Sequence, residues 1–421
     1  MSKPIIPAVS RRSFIKSIGA TTAYGITARA EDVAEDTAEN SAEDAANKKI
    51  GIGVIGCGGR GNSHIRFLQQ LKEDGEAVEI TAVCDVYSPR LQKAGEETGA
   101  KTYTDYHELL NDPNVNAILI TSPDHWHGYQ LLDALKAGKD VYCEKPLIHW
   151  RQEKLAKQLL EAKKDLKQIV QVGTQCMSSS AWSQAARMIK RGDIGKPLHV
   201  QAGYFRNGEW GERMPIDDDN AQPGKDLSWE NFLGDAPQRP FSVSRFFQWR
   251  LYWDYAGGPS TDLFPHTLTP IQKMLGVNMP ETITASGGRF LYNHEREVPD
   301  VFNMTIDYPE EISVVLMCCL GNDHGIPTVV RGSEGTITFE KDYLLVTPQP
   351  NVKRPKKVDP IQRKESQMDF WKNFLSCCRT RKEPWSPLEL AYPVQIALQM
   401  GIISLREQKV THFSQEDAKI I

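Results

Sequence analysis

Three side chains in this sequence have the types and positions that proton transfer at an alcohol requires. Lys145 stands just beyond an apolar run that is typical of a buried strand, and its ammonium would stabilise a developing alkoxide. Asp262 and His266 are four residues apart, which would place both on one face of a helix. A carboxylate beside an imidazole suits a general base, because histidine titrates near neutral pH and the carboxylate stabilises its charged form. We therefore predict that these three residues handle a hydroxyl proton.

Each of the three residues also has an ordinary structural explanation. A lysine between Glu144 and Pro146 can be a solvated surface charge, and an aspartate and a histidine at this spacing can form a surface pair. Such a pair can also begin a metal site, but no third ligand follows at a suitable spacing, and the eight cysteines form no CxxC pair. The sequence therefore predicts no metal site, and we expect the cysteines to be free thiols.

A glycine-rich turn between a strand and a helix would hold a pyrophosphate near these residues. The apolar run KIGIGVIG begins at Lys49, and an amphipathic helix is predicted to end near Leu71. Between them lie Gly56, Cys57, Gly58, Gly59, Arg60 and Gly61. Gly56 permits the tight turn, Gly58 lets the backbone approach the phosphates, and Gly61 allows the helix to pack closely on the strand. The backbone N–H groups and the helix N-terminus would then face the pyrophosphate.

An acidic residue after the second predicted strand indicates which dinucleotide would bind. The strand covers residues 78–84 and ends beside Asp85, which can accept hydrogen bonds from the ribose hydroxyls of NAD. The carboxylate would repel a 2′-phosphate, which favours NAD over NADP, although Arg90 in the following turn would weaken that preference. Alternatively, Asp85 is a plain N-cap ahead of Ser88.

Alternating strands and helices continue to residue 173. Further strands are predicted at 101–104, 115–121, 140–143 and 169–173, and further helices at 106–110, 127–137 and 153–164. This order predicts a doubly wound parallel sheet, with ligands beyond the carboxyl ends of its strands. Such ends carry the segments 121–127 and 144–146. The predicted cofactor contacts are Gly56, Gly58, Gly59, Arg60, Gly61, Asp85, Arg90, Ser122, Pro123, His127, Glu144 and Lys145.

The second half of the chain is richer in predicted strands than in helices. These strands cover residues 196–205, 282–291, 302–308, 312–320, 328–331, 336–339 and 343–346. The irregular segment between them, residues 206–249, mixes aromatic residues such as Trp210 with arginines such as Arg213. That mixture suits a carbohydrate cleft, and an aromatic loop packed over the sheet explains it equally well. Candidate substrate contacts are Tyr204, Trp249 and Arg250, and residues 350–365 are expected to be a solvated loop.

Taken in order, these motifs resemble the Gfo/Idh/MocA oxidoreductases, from about Lys49 to the C-terminus. The resemblance implies an α/β protein with a Rossmann domain at 49–173 and an α/β domain at 174–421. The second domain would have an open, mainly antiparallel sheet that serves as the interface of a homodimer or homotetramer. The resemblance also implies that Lys145, Asp262 and His266 are catalytic, with His266 as the proton acceptor. Family substrates are mostly sugars, cyclitols and their derivatives.

Two residues depart from the family pattern beside the predicted proton acceptor. The common form has glycine two residues after the aspartate, where this chain has Phe264. Pro265 follows, and because proline has no N–H, the helix is expected to begin late or to kink, which changes the orientation of His266.

The N-terminal residues resemble a twin-arginine export signal. Residues 10–16 read SRRSFIK, a mildly apolar stretch follows, and small residues two apart precede an acidic run. A basic arm beside a short helix is the alternative. We expect a signal at 1–30, a flexible acidic linker at 31–48, and a periplasmic or secreted protein. A protein exported in its folded state can carry a tightly bound cofactor with it.

Composition and net charge exclude some classes of partner and function. The 421 residues are 40% hydrophobic and 25% charged, with a net charge of −4, so a nucleic-acid partner is not expected. The sequence contains no run of about 18 consecutive apolar residues, so no membrane-spanning helix is predicted. The main hypothesis is an NAD-dependent oxidoreductase acting on a sugar, cyclitol or sugar derivative. The alternatives are a glycosidase or glycoside lyase that oxidises C3 transiently with no net redox change, and a non-catalytic sugar-binding protein.

Overall fold

The computed structural model describes residues 48–208, 214–292 and 294–421. The predicted export signal, all but the last residue of the predicted linker, Trp210 and Arg213 lie outside the described residues, so their roles stay predictions. Residues 49–421 pack as one unit. The predicted division at residue 173 and the predicted association of copies through the second sheet also stay predictions.

A parallel sheet occupies the first part of the described chain. Its six strands are β1 (Ile50–Ile55), β2 (Val78–Cys84), β3 (Lys101–Tyr103), β4 (Ala117–Ile120), β5 (Asp140–Glu144) and β6 (Val170–Gly173). They lie in the order β3-β2-β1-β4-β5-β6, which confirms the predicted doubly wound sheet. The order reverses between β1 and β4, so a crevice opens beyond the carboxyl ends of these two strands.

Helices cover both faces of this sheet and keep its strands buried. They are α1 (Gly59–Glu73), α2 (Ser88–Thr98), α3 (Tyr106–Leu110), α4 (Asp124–Lys136) and α5 (Glu153–Asp165). Every residue of β1, β4, β5 and β6 is buried, as expected for parallel strands packed on two sides. α4 begins three residues earlier than predicted, because Asp124 follows Pro123 and supplies a favourable acidic charge to the first turn.

A second, larger sheet follows in the chain. Its strands are β7 (Pro197–Asn207), β8 (Thr282–Gly288), β9 (Val301–Tyr308), β10 (Ile312–Cys319), β11 (Gly321–Asn322), β12 (Val329–Gly332), β13 (Gly335–Phe339), β14 (Tyr343–Pro348), β15 (Lys357–Pro360), β16 (Thr411–Ser414) and β17 (Lys419–Ile420). Their order is β15-β14-β13-β12-β7-β10-β9-β8-β16-β17, and β11 pairs with β7. β7 and β10 run parallel and the other pairs are antiparallel, which confirms the predicted mainly antiparallel sheet.

The prediction of a solvated loop over residues 350–365 is wrong in part. Strand β15 lies within it and pairs with β14 at the edge of the sheet. Its side chains stay largely exposed and include Lys357, and charged side chains are common on edge strands. The charged side chains of this segment indicated a loop, although its backbone pairs with β14.

The helices of the second part include two long ones near the C-terminus. They are α6 (Ser180–Lys190), α7 (Trp229–Leu233), α8 (Val243–Phe247), α9 (Pro259–Asp262), α10 (Pro265–Leu275), α11 (Gln367–Thr380) and α12 (Leu388–Glu407). α11 packs on the first sheet, where Phe370 and Trp371 join the same buried cluster as Tyr142. By length and composition alone, α12 is able to cross a membrane, but 78% of its apolar window is buried, as in a core helix.

Candidate active site

A groove of about 1250 Å³ opens at the reversal point of the first sheet. The turn after β1, the residues after β2 and the start of α4 form one side of it. The second part of the chain contributes residues that include Arg206, Met214, Trp249, Arg250 and Asp262. The groove therefore joins the predicted nucleotide site to one of the predicted catalytic residues.

The glycines of the turn after β1 are required by close packing. Gly56 has φ +92°, and a Cβ there would lie 2.7 Å from the backbone nitrogen of Ser122. A Cβ on Gly61 would lie 1.9 Å from the carbonyl oxygen of Gly56. By contrast, a Cβ on Gly59 would meet nothing within 4 Å, and the N-cap of α1, Gly58, makes no side-chain hydrogen bond. Free N–H groups at an uncapped helix start that lines the groove fit a pyrophosphate.

Asp85 lies at the end of β2 and is held by two backbone hydrogen bonds. Its Oδ2 accepts from the N–H of Cys57 at 2.7 Å, and its Oδ1 accepts from the N–H of Tyr87 at 2.8 Å. The N-cap of α2 is Tyr87, so Asp85 is not the helix cap that the alternative explanation assumed. Burial raises the pKa of the Asp85 carboxyl above its ordinary value. Arg90 lines the same end of the groove.

Arg60 is held by a buried network that the sequence did not reveal. Glu144 Oε1 lies 2.6 Å from Arg60 Nη2 and 2.8 Å from His64 Nε2. The indole N–H of Trp371 donates to His64 Nδ1 at 2.9 Å. Because an indole nitrogen only donates, His64 Nδ1 accepts, and Nε2 therefore carries the proton and donates to Glu144. Gln367 completes the network by accepting from Arg60 Nη2 at 2.9 Å.

Burial sets the protonation of this network. It lowers the pKa of His64 to about 4, so the ring is neutral. Burial opposes the charge on Glu144, but Arg60 and the His64 hydrogen bond hold the pKa of that carboxyl well below its usual range. Glu144 Oε2 also accepts from the N–H of Lys145 at 3.2 Å. Glu144 thus holds Arg60 at the start of α1, and its predicted direct contact with the cofactor stays a prediction.

The remaining predicted cofactor contacts lie at the start of α4. Ser122 and Pro123 line the groove, and Ser122 donates its hydroxyl hydrogen bond to Gln130 at 2.6 Å. His127 is buried, with one ring nitrogen 2.6 Å from the carbonyl oxygen of Pro146 and the other 2.8 Å from that of Ser122. His127 therefore joins the loops after β4 and β5, and neither ring nitrogen is left for a ligand.

Lys145 and Asp262 meet at the other end of the groove. Lys145 Nζ lies 2.6 Å from Asp262 Oδ1 and 2.7 Å from the Asp262 carbonyl oxygen, although the residues are 117 positions apart. Arg250 Nε lies 3.1 Å from the same carboxylate oxygen. Burial opposes ionisation, but Lys145 and Arg250 hold the pKa of Asp262 far below its usual range. Lys145 is thus a buried, paired cation and not a solvated surface charge.

His266 does not share a helix with Asp262, so the expectation of one continuous helical face is wrong. α9 begins with Pro259 and ends at Asp262, and α10 begins at Pro265, which is the late helix start expected there. The break follows from Pro265, which has no N–H to extend the preceding helix, and from Phe264, which is fully buried in the core. No hydrogen bond joins the side chains of Asp262 and His266 in the described part of the chain.

The His266 ring is neutral and partly unpaired. Burial and the nearby Lys145 ammonium lower the pKa of His266 to about 3. Its Nδ1 is buried and has no hydrogen-bond partner among the described residues. Cys176 fixes the backbone of His266 through a thiol hydrogen bond of 2.8 Å to its carbonyl oxygen. A buried ring nitrogen without a partner is costly, whether it donates or accepts, and such a group calls for a functional explanation.

The predicted substrate contacts surround this end of the groove. The Tyr204 ring lies 6.1 Å from the His266 ring between centroids, and the Arg250 guanidinium lies 4.3 Å from the centre of the Trp249 ring. Arg206 was not predicted, yet it lines the groove and lies over the Tyr204 ring at 5.7 Å. Strand alternation was the available signal, because residues two apart on β7 share a face.

Comparison with known families identifies the chain. Residues 50–174 match the Gfo/Idh/MocA oxidoreductase family model for an NAD-binding Rossmann fold. Residues 180–421 match the model for the C-terminal α/β domain of an oxidoreductase family of the same name. The chain belongs to the Gfo/Idh/MocA family. Membership assigns NAD to the groove formed by the first sheet, in agreement with the uncapped start of α1 and the position of Asp85.

Curated relatives of this Gfo/Idh/MocA protein include inositol dehydrogenases. It is 36% identical over 157 residues to the inositol 2-dehydrogenase/D-chiro-inositol 3-dehydrogenase of Lactiplantibacillus plantarum, which covers 37% of this chain and 43% of that protein. It is 35% identical over 156 residues to the inositol 2-dehydrogenase of Salmonella typhimurium, which covers 36% and 45%. The match spans less than half the length of these relatives.

Solved structures share the fold over most of the chain. Levoglucosan dehydrogenase in complex with NADH and levoglucosan has a TM-score of 0.68 and 17% identity, covering 87% of this chain and 100% of that one. The WlbA dehydrogenase of Bordetella pertussis, in complex with NADH and UDP-GlcNAcA, has a TM-score of 0.65 and 18% identity, covering 87% and 99%.

The described residues also include possible metal ligands and cysteines. No cluster of three or more His, Cys, Asp or Glu side chains suited to a metal ion occurs within residues 48–208, 214–292 and 294–421. All eight cysteines are thiols, and seven of them are buried. The catalytic roles predicted for Lys145, Asp262 and His266 stay predictions.

Proposed function

We propose that this chain is an NAD-dependent oxidoreductase that acts on a carbinol group of a sugar, cyclitol or sugar derivative. The observation that carries the proposal is the ion pair between Lys145 and Asp262, with a neutral His266 nearby, at one end of a groove whose other end holds the glycine turn. When bound, NAD supplies a nicotinamide carbon that exchanges a hydride with the carbinol carbon.

The side chains divide the proton chemistry among them. Burial and Lys145 lower the pKa of His266 to about 3, so the ring is neutral across the physiological range and would accept the hydroxyl proton at a ring nitrogen that the substrate reaches. The Lys145 ammonium would stabilise the negative charge that grows on the substrate oxygen. Asp262 bonds to Lys145 and Arg250, so its role is to hold Lys145 in place and not to orient the imidazole.

The walls beside this centre suit a polyol. Arg206 stacks on Tyr204 and Arg250 stacks on Trp249. These pairs would present aromatic surface to the apolar side of a sugar ring and guanidinium donors to its hydroxyl or carboxylate oxygens. The inositol dehydrogenases among the relatives and the levoglucosan dehydrogenase among the fold neighbours support this substrate class.

A panel of sugars, cyclitols and glycosides, assayed for both NADH and bond cleavage, tests the proposal. We expect NADH and an oxidised sugar to accumulate in equal amounts with at least one compound. His266→Gln should abolish turnover and leave ligand binding intact. Cleavage without net NADH would instead assign the redox-assisted glycosidase or lyase activity. Sugar binding without any turnover, unchanged by His266→Gln, would assign a binding protein.

We also propose that residues 1–30 direct export through the twin-arginine pathway and that NAD travels in the folded protein. The SRRSFIK segment supports this, because it matches the order of residues in such signals. Replacing Arg11 and Arg12 by Lys should retain the protein in the cytoplasm. Recovery of exported protein from that variant, or of exported wild type without nucleotide, would contradict the proposal.

A further inference from the structure

We propose that Asp217 sets the preference for NAD over NADP by neutralising Arg90 at the ribose end of the groove. The inference rests on the nucleotide-binding part of the proposed function and not on the substrate or the reaction. Arg90, Asp85 and Asp217 all line that end of the groove. The charge that a 2′-phosphate would meet is therefore set by these three side chains together.

Arg90 occupies a fixed position over the glycine turn. It is the third residue of α2, and a Cβ built on Gly58 would lie 3.2 Å from its Nη1. Its guanidinium stacks on two aromatic rings, 5.6 Å from the centre of Tyr87 and 5.1 Å from that of Phe247. Stacking on two rings anchors a guanidinium independently of its ion pairs. Arg90 is therefore expected to remain in place when an ion-pair partner is removed.

An arginine in this position would ordinarily favour NADP. In this fold an acidic residue after the second strand binds the ribose hydroxyls of NAD, whereas a nearby arginine accommodates a 2′-phosphate. This chain carries both, as Asp85 and Arg90, so these two residues alone do not decide between the nucleotides. Accessibility does not decide between the nucleotides either, because both side chains line the groove and a ligand could reach both.

Asp217 resolves the conflict in favour of NAD. Its Oδ2 accepts from Arg90 Nη2 at 2.5 Å and from Arg90 Nε at 3.1 Å. Two of the donors that would bind a phosphate are therefore occupied, and the guanidinium charge is balanced. A 2′-phosphate would meet two carboxylates, Asp85 and Asp217, and one arginine that is already paired. Asp217 belongs to the segment between β7 and α7, 127 positions from Arg90.

The chain offers a matched control in the next residue. Asp218 carries the same charge but accepts from the Tyr87 hydroxyl at 3.4 Å and from the N–H of Asn220 at 2.8 Å. Replacing either aspartate by asparagine removes one negative charge from the same loop. Only the change at residue 217 removes the partner of Arg90.

The test measures how well NAD or NADP displaces bound NADH, using NADH fluorescence as the signal. It compares the wild type with Asp217→Asn, Asp218→Asn and the double variant Asp217→Asn/Arg90→Gln. Asp217→Asn should tighten NADP binding by about tenfold or more while NAD binding changes by less than about threefold, because a charge-assisted phosphate contact is gained. The gain should shrink as salt is raised. Asp218→Asn and the double variant should behave like wild type toward NADP.

Three results would overturn the proposal. They are an unchanged preference in Asp217→Asn, an equal gain in Asp218→Asn, or a gain that survives in the Arg90→Gln background. Retained NADH binding shows in each case that the variant is folded. The readout needs no substrate, so failure of the proposed sugar chemistry leaves it unaffected.

Discussion

The two ends of the groove are built in different ways. At the phosphate end the contacts come from backbone N–H groups, glycines and residues that are close in sequence, such as Gly56 and Gly61. At the reaction end Lys145 and Asp262 form a buried ion pair between residues 117 positions apart. The first end depends on the shape of the backbone, whereas the second depends on charges brought together by the tertiary fold. The two ends should therefore fail under different kinds of substitution.

The largest expected effect is at the reaction end. Lys145→Met should lower turnover by about 10²–10³-fold, because a preorganised positive group near the reacting oxygen is lost. NADH binding should weaken much less than turnover, since Lys145 is only one of the predicted cofactor contacts and the glycine turn is untouched. Steady-state rates and NADH fluorescence measure the two quantities. Lys136→Met, an exposed lysine on α4, is the control and should retain full activity. Equal losses in the two variants would remove Lys145 from the mechanism.

A methyl group should be enough to disrupt the phosphate end. Gly61→Ala is expected to lower the free energy of unfolding by about 2–3 kcal/mol, because its Cβ would clash with the Gly56 carbonyl oxygen. Gly59→Ala, where a Cβ meets nothing, should leave stability unchanged or raise it by up to about 1 kcal/mol. Urea denaturation of both variants measures the difference. If the two alanines are equally tolerated, close packing does not define this end.

Trp371 tests whether the phosphate end also depends on distant residues. Trp371→Phe keeps an aromatic side chain but makes it smaller and removes the N–H that His64 Nδ1 accepts. The lost hydrogen bond and the cavity together should cost about 2–4 kcal/mol of stability and loosen Arg60. NADH should therefore bind more weakly, with turnover at saturation unchanged. Trp385→Phe, at the edge of the same cluster, is the control. Unchanged NADH affinity in Trp371→Phe would show that the network is purely structural.

The last comparison uses the slope of stability against pH, to which both ends contribute. Burial lowers the pKa of His64 to about 4 and, together with Lys145, that of His266 to about 3. Below about pH 6.5 these two histidines bind protons in the unfolded chain but stay neutral in the folded one. The free energy of unfolding therefore falls as the pH is lowered from about 6.5 to about 4. Urea midpoints at several pH values should show this fall, and His64→Gln should flatten it.

Local patterns predicted most of the first sheet. β2 and α3 were predicted residue for residue, and the glycine turn lies where its spacing placed it. Apolar runs and glycine positions are local signals that can be read directly from the sequence. In a doubly wound parallel sheet the ligand site lies at the carboxyl ends of the strands, so predicting the strands also predicts where the site lies. The sequence also singled out Lys145, Asp262 and His266, but it paired Asp262 with His266 and not with Lys145, and their catalytic roles stay predictions.

Long-range pairing explains what the sequence did not show. The partner of Asp262 is Lys145 and not His266, because Pro265 divides the helix and no short-range pattern encodes the tertiary ion pair. Asp217 and Trp371 belong to no recognisable sequence motif. Only the folded structure shows that Asp217 pairs with Arg90 and that Trp371 donates to His64. Strand β15 was missed since exposed, charged side chains masked its backbone pairing.

The position of α11 has a consequence for how the protein is made. Phe370, Trp371 and Phe374 complete the hydrophobic core beneath β1, β4 and β5, so that core stays open until residues near 380 have left the ribosome. Arg60 likewise lacks its Gln367 partner until then. Synthesis of the nucleotide-binding half is therefore finished long before its hydrophobic core is complete. We expect stable loading with NAD to follow the docking of α11, when almost the whole chain has been translated.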